Sequence, residues 1–281
     1  MIRKEALEMA AKLEGRNRIR TLRQIAKRLA SKISKSEGVA GIAFIGGLVR
    51  GFADEYSDLD IIVLLTERDE KLRERFCRWA SDEAKHRKVD IDLEVHFIED
   101  FGKQKWDEID RWTFAKAQVI FDPEGMLRKA FDQKLRLPKS LWVNRIVVNA
   151  EYLKWYCCPP RENVGTIAES WVARGDLQSA HYCLNYSVDL TLKILFTLNR
   201  EHLPAPKWRL FYSRSLKWLP EGYEGLIGDA MRIRSYSLEE FKFRLRALRK
   251  MWKSIPAKIR SETGLTMDQV SRYYVEKILG V

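Results

Sequence analysis

Apolar residues recur along this chain at two different periods, and the change of period divides it. Ile19, Leu22, Ile25, Ala26, Leu29 and Ile33 share one face of a 3.6-residue repeat, with arginine and lysine between them. The pattern predicts a long basic amphipathic helix over residues 2–35, broken at Gly15 and ended by Gly38 and Gly41. Residues 39–45 are a short apolar run and residues 59–65 another interrupted only by Asp60, and both read as strands. Thr66 is expected to cap a helix over about residues 67–86. Over residues 88–98 the period is two: Asp90, Asp92, Glu94 and His96 alternate with Ile91, Leu93, Val95 and Phe97. That alternation predicts a third strand with one apolar and one acidic face. A short strand at 118–121 and a helix opened by Asp122-Pro123 complete this part.

From about Pro138 onward only helical periodicity remains, over 141–156, 166–173, 176–199, 238–253 and 267–279. The segments 158–161 and 202–207 read as proline-rich breaks between helices. The pattern therefore predicts an α+β fold in two domains. Residues 1–137 form a mixed sheet with flanking helices, and residues 138–281 an all-α bundle. No internal repeat and no low-complexity tract is present.

Composition narrows the class. With 281 residues and 46% hydrophobic positions the chain has enough apolar material for real cores, which excludes disorder and a small disulfide scaffold. No apolar run approaches the ~20 residues of a membrane span. The first twenty residues lack the apolar core of a signal peptide, so a cytoplasmic protein with no membrane association is expected. Cys77 and Cys183 stand alone and Cys157-Cys158 are adjacent, which is neither a redox pair nor a zinc spacing, so buried free thiols are expected. The net charge of +12 is unevenly spread: +8 over residues 1–35, −5 over 36–137 and +9 over 138–281. An acidic middle between basic flanks suits a carboxylate site that holds divalent metal beside surfaces that attract phosphate.

The chemistry concentrates between residues 44 and 63. A strand running into Gly46-Gly47 and a short helix presents backbone N–H groups of the kind that cradle phosphate oxygens. Asp58-Leu59-Asp60 then heads the next strand, where residues i and i+2 project from one face. Two carboxylates so close repel each other, and divalent cations relieve that repulsion. The acidic face of residues 88–98 offers a third oxygen ligand, and three carboxylates can hold two metal ions for in-line phosphoryl transfer. The alternative is that Asp58 caps a turn, Asp60 is an edge charge and the acidic stripe is a solvated sheet face.

The pair Gly46-Gly47 followed by Asp58-Leu59-Asp60 resembles the signature of the nucleotidyltransferase superfamily that includes DNA polymerase beta. The run from Gly46 to Asp60 is most similar to the kanamycin-type antibiotic nucleotidyltransferases and to two-domain prokaryotic members with a helical second half. The resemblance implies a nucleotidyltransferase palm followed by a helical substrate or acceptor domain. The implied reaction transfers a nucleoside monophosphate, AMP from ATP or the equivalent from another nucleoside triphosphate, to a hydroxyl with release of pyrophosphate, using two Mg²⁺ ions. It further implies that Gly46 and Gly47 hold the triphosphate with Arg50 near its outer oxygens, and that Asp58 and Asp60 bind metal. Glu94 is the implied third carboxylate, with Asp92 its competitor one step along the same face. Glu151, or failing it Glu169, is the implied general base. Where many relatives have Gly-Ser this chain has Gly47, so Ser57 is the candidate to supply a hydroxyl to phosphate.

The acceptor stays open among a small molecule, RNA and a partner protein, and no oligomeric state follows. A cationic aminoglycoside suits the −5 segment but not the +9 half, and RNA or protein suits the basic flanks better. Two other classes compete: an RNA- or protein-modifying or binding protein on this fold, and a non-catalytic nucleotide-sensing module. Intact Asp58 and Asp60 argue against the module. His181, among Leu177, Leu184 and Val188, reads as a core histidine, and Asp176 after Gly175 as an N-cap. His96 shares the acidic face, but Mg²⁺ prefers oxygen.

Overall fold

The computed structural model of the protein describes residues 16–159 and 165–280. These residues fold as two compact units that divide between Arg136 and Leu137. The architecture is α+β: a four-stranded mixed sheet with flanking helices, then helices alone.

The first unit opens with α1 (Ile19–Ile33), and the expected break at Gly15 lies outside the described residues. Leu22, Ile25, Ala26, Leu29, Ala30 and Ile33 are buried on its inner face. Strand β1 (Val39–Phe44) is buried at every position, as is β2 (Leu59–Leu65) apart from Asp60. Both lie inside the sheet, and that placement explains why they are apolar on both faces apart from Asp60. Helix α2 (Glu70–Arg87) begins three residues later than Thr66 predicts. Its cap is Asp69, whose side chain accepts the Leu72 N–H at 2.9 Å, while the Thr66 hydroxyl bonds to the Gly38 carbonyl. Strand β3 (Ile91–Phe97) pairs parallel with β2, as a strand–helix–strand crossover requires. Next come α3 (Ile98–Lys103), α4 (Glu108–Phe114), β4 (Gln118–Phe121) and α5 (Met126–Leu135). Asp122 opens α5, its carboxylate accepting the N–H groups of Leu127 and Arg128.

The sheet order is β3-β2-β1-β4, with β1 antiparallel to both neighbours. One face carries Leu59, Ile61, Val63 and Leu65 against α1 and α2. The other carries Ile62 and Leu64 under Phe101, Trp106, Phe114 and Phe131. Trp106 and Phe114 stack with ring centres 4.2 Å apart, so this cover is a close-packed aromatic layer.

The second unit contains α6 (Lys139–Tyr156), α7 (Ile167–Ala173), α8 (Leu177–Leu198), α9 (Pro206–Ser213), α10 (Tyr223–Met231), α11 (Leu238–Trp252), α12 (Ile255–Thr263) and α13 (Met267–Tyr273), which runs into a π turn at Tyr274–Leu279. Helix α8 is apolar on most sides and packs against α6, α7, α9, α10, α11 and α12, so it is the hub of the bundle. Asp176 is its N-cap, accepting the Ser179 N–H at 2.9 Å. Helices α9, α10 and α12 have no counterpart in the periodicity reading. Each is under ten residues, too short for a clear period, and Pro206 and Pro256 sit at first-turn positions. Among the described residues no helix is long and apolar enough to cross a membrane.

His181 is fully buried in this unit and holds Arg244, which is also fully buried. Arg244 Nη1 donates to His181 Nδ1 at 2.9 Å, Nε to the Ala230 carbonyl at 2.7 Å and Nη2 to Asn185. His181 Nε2 lies 3.3 Å from the Ser237 carbonyl oxygen, so the neutral ring donates there and accepts from Arg244. Burial, with the Arg244 charge beside it, lowers the His181 pKa below its ordinary value of about 6.5. A histidine with a depressed folded pKa takes its proton more readily in the unfolded chain. The protein is therefore expected to be fully stabilised by this group above about pH 6.5 and to lose that contribution progressively as pH falls from there through the lower folded pKa. Denaturant melts at about pH 7.5 and about pH 5.5 check this: the gap between them shrinks in His181→Gln, and an unchanged gap refutes it.

Candidate active site

The backbone leaves β1 at Phe44, and the Ile45 N–H donates to the Asp60 carbonyl at 3.1 Å. The chain then turns through a single 3₁₀ turn at Gly46–Val49, so the short helix expected after the glycine pair is one tight turn. Gly46 has φ of +59°, in the left-handed region that side chains disfavour. A Cβ placed on it would lie 1.8 Å from Asp60 Oδ2. The Asp60 carboxylate thus packs directly on the bare backbone of Gly46, and no other residue type leaves that space. Gly47 is less constrained, since its nearest neighbour is the Phe52 carbonyl oxygen, 3.4 Å from an added Cβ.

Three positions carry acids at this end of the sheet. Asp58 is exposed just ahead of β2, and Asp60 is half-buried as its second residue. The parallel register pairs Asp60 with Asp92 and Ile62 with Glu94. Asp92 is therefore the acid directly across from Asp60, while Glu94 stands beside Ile62, further from the glycine turn. Partial burial, then the charges of Glu94 and Asp58, raise the Asp92 pKa above its ordinary value. Asp92 thus feels Asp58 as well as lying beside Asp60. Glu94 Oε2 is 2.9 Å from His96 Nε2, a pairing available one step along the same face.

The donors are all oxygens, the set that Mg²⁺ takes, and the cradle at Gly46 holds one of them on the turn itself. Among the described residues, no three His, Cys, Asp or Glu side chains are gathered closely enough to enclose a cation. The residue types suit a divalent cation, and the register sets Asp60 and Asp92 side by side.

Other anticipated residues hold the loop. The Arg50 guanidinium stacks 3.3 Å over the Trp112 ring and its Nη2 donates to the Trp112 carbonyl at 2.8 Å, tying the end of the glycine turn to α4. Ser57 closes the following turn, its hydroxyl donating to Asp54 Oδ1 and accepting the Asp54 N–H, both at 3.0 Å. In the helical unit, the Glu151 carboxylate is buried and accepts from Lys154 Nζ at 2.8 Å, an ion pair within α6, and from the Ser271 hydroxyl of α13 at 2.9 Å. Glu169 completes the capping box of α7 with Thr166 and accepts from Arg249 at 3.0 Å.

Three residues that sequence reasoning did not single out also shape the loop. Arg23 on α1 donates through Nε and Nη2 to the Leu48 carbonyl at 2.8 and 2.6 Å, a charge-assisted clamp on the glycine turn. Asn17 Nδ2 donates to the Gly51 carbonyl at 3.1 Å, and Trp112 receives Arg50. Nothing in the local sequence separates Arg23 from the other arginines of its helix.

Residues 22–119 match the nucleotidyltransferase domain family, and residues 106–209 match a domain of unknown function (DUF4037). No curated protein matches the chain. Similar solved structures include a nucleotidyltransferase-like protein from Exiguobacterium sibiricum, 12% identical, covering 92% of this chain and 88% of that one with a TM-score of 0.42. Spectinomycin adenyltransferase from Enterococcus faecialis, with ATP and spectinomycin, is 14% identical, covering 90% of this chain and 99% of that one with a TM-score of 0.37. The tri-AMPylated Shewanella oneidensis HEPN toxin in complex with MNT antitoxin gives 14% identity, 47% and 97% coverage and a TM-score of 0.29.

Proposed function

From a nucleotidyltransferase domain over residues 22–119, we propose that the chain is a metal-dependent enzyme that transfers AMP from ATP to a hydroxyl acceptor, releasing pyrophosphate. The observation that carries this reading is the contact of the Asp60 carboxylate with the bare Gly46 backbone. A charged oxygen packed on a left-handed glycine, with Asp92 across the strand pair, serves no packing purpose. Oxygens that would hold metal there lie beside the turn whose N–H groups would take phosphate.

In this reading Gly46 and Gly47 hold the triphosphate through backbone N–H groups, while Arg23 and Arg50 keep the turn in place from two sides. Asp58, Asp60 and Asp92 hold two Mg²⁺ ions. Bound there, divalent cations make the acceptor hydroxyl more acidic and neutralise charge on the leaving pyrophosphate. The carboxylates fix the position of the reacting groups and receive the hydroxyl proton on its way to water.

The test is a transfer assay with α-labelled ATP, Mg²⁺ and a panel of hydroxyl compounds, RNA and protein, with pyrophosphate measured in parallel. Label and pyrophosphate rising together support the reading, and pyrophosphate-free hydrolysis to ADP sinks it. The same assay separates the two candidate third acids. Losing an outer-shell partner of a metal costs roughly 10- to 100-fold, and losing a direct ligand at least as much. Asp92→Asn is therefore expected to lower turnover by about 100-fold or more, and Glu94→Gln by only a few-fold. The reverse order would return the ligand role to Glu94.

A further inference from the structure

We propose that the acceptor is single-stranded RNA, carried along the exposed face of α1 and stacked on Tyr56; this rests on the nucleotidyl-transfer reading above. Helix α1 contains Arg20, Arg23, Lys27, Arg28 and Lys32 and no acidic residue. Arg20, Lys27, Arg28 and Lys32 are all exposed, with Lys32 at the edge of the buried stripe. Like charges four apart on a helix, as at Arg28 and Lys32, destabilise it. Helix α2 in the same unit avoids that cost by interleaving acids, with ion pairs Arg73–Glu70 and Arg87–Glu83. A row of cations without interleaved acids is what a polyanion neutralises. The row extends onto α2, where Lys32 Nζ sits 4.0 Å over the Trp79 ring and Arg75 covers the same ring at 5.4 Å.

The start of the basic helix is tied to the loop that follows the glycine turn. Just ahead of α1, the Arg18 N–H donates to the Ala53 carbonyl at 2.7 Å and Asn17 bonds Gly51. Within the helix, Arg23 grips Leu48. The start of the helix is thus fastened to the segment that links the glycine turn to Asp58. In that segment the Tyr56 side chain is 88% exposed, two residues before Asp58. It is set by a closed turn: the Tyr56 N–H and the Ser57 hydroxyl both donate to Asp54 Oδ1, and the Ser57 N–H donates to the Asp54 carbonyl. A hydrogen-bonded turn that presents an aromatic ring to water, in a segment tied to the start of a cationic helix, suits single strands, phosphates on the cations and a base on the ring. An acidic polypeptide supplies the charge but no base for Tyr56.

RNA also supplies the nucleophile. Its terminal ribose hydroxyl oxygen bonds to the α-phosphorus of ATP as the bond from that phosphorus to the α–β bridging oxygen breaks. Pyrophosphate leaves with the electron pair, and the hydroxyl proton passes through a site carboxylate to water.

Binding is measured first, by fluorescence anisotropy of a labelled single-stranded RNA of about 20 nucleotides on the Asp60→Asn chain without nucleotide, so that it is read apart from transfer. Four phosphate contacts at about 0.7 each predict a log–log salt slope near −3, or about 50-fold weaker binding between about 50 and about 200 mM salt. The variant R20Q/K27Q/R28Q/K32Q is expected to lose most of that slope. K27R/K32R, which keeps the charge, is expected to retain it. Tyr56→Ala is expected to weaken binding about tenfold with the slope unchanged. Circular-dichroism melts show that each variant is folded. Undiminished binding by the folded quadruple variant, or equal affinity for poly-glutamate, overturns the inference, as does transfer of label to single-stranded DNA in preference to RNA. RNA binding as expected with no label transferred by the wild type overturns the transfer reading instead. Transfer to a small hydroxyl compound with no RNA binding overturns the RNA acceptor alone.

Discussion

Asp60→Asn is expected to abolish transfer while leaving the fold intact, and it is the largest single effect that the site predicts. Asn keeps the shape of the side chain that packs on Gly46, so β2 and the turn have no steric reason to move. What it removes is one negative charge from the carboxylate nearest the turn. Metal-assisted stabilisation of a reacting phosphoryl group contributes several kcal/mol, and each ~1.36 kcal/mol is a factor of ten in rate. Turnover should therefore fall by about 1,000-fold or more, with thermal stability unchanged or slightly raised because a repelling charge near Asp58 and Asp92 has gone. Initial rates of pyrophosphate release, beside a thermal melt, check both halves. A folded Asp60→Asn chain with near wild-type turnover would remove Asp60 from the chemistry.

Gly46→Ala should damage both stability and activity, and Gly47→Ala provides the comparison. Alanine at φ of +59° costs about 1–2 kcal/mol from backbone strain alone. Its Cβ also meets Asp60 Oδ2 at 1.8 Å, so the carboxylate has to swing away or the turn has to open. A displacement of ~1 Å in a reacting constellation costs about 100-fold, so a loss of at least that size is expected in transfer. At Gly47 the added methyl meets only the Phe52 carbonyl oxygen, at 3.4 Å, and φ is not positive. Gly47→Ala should change stability by less than about 1 kcal/mol. Denaturant melts of the two variants decide the matter. Equal destabilisation would mean that the turn tolerates neither residue and that the contact with Asp60 has no special standing.

The two glycines show how much of the site could be read without coordinates. The sequence marks the pair, its distance from Asp58 and Asp60, and the alternation that puts Asp92, Glu94 and His96 on one face. Each of these follows from local periodicity, because strand residues alternate whatever they pair with. The same holds for the helical second unit and for Asp176 as a cap, both written in neighbouring residues. Thr66 is the local exception: Asp69 competes with it for the same helix start and has the stronger acceptor.

What the sequence determined, then, is the set of acids and the faces on which they lie. Which acid stands opposite Asp60 depends on the register of β2 against β3, fixed by the burial of Ile61, Val63, Leu93 and Val95 under α1 and α2. A single-residue slip would turn every side chain over, so register is strongly fixed in space yet invisible along the chain. Tertiary structure alone also decides that Ser271 donates to the Glu151 carboxylate, and that Arg23, unremarkable in a basic helix, clamps the glycine turn. Each is a contact between segments far apart in sequence, set by packing rather than by any local preference.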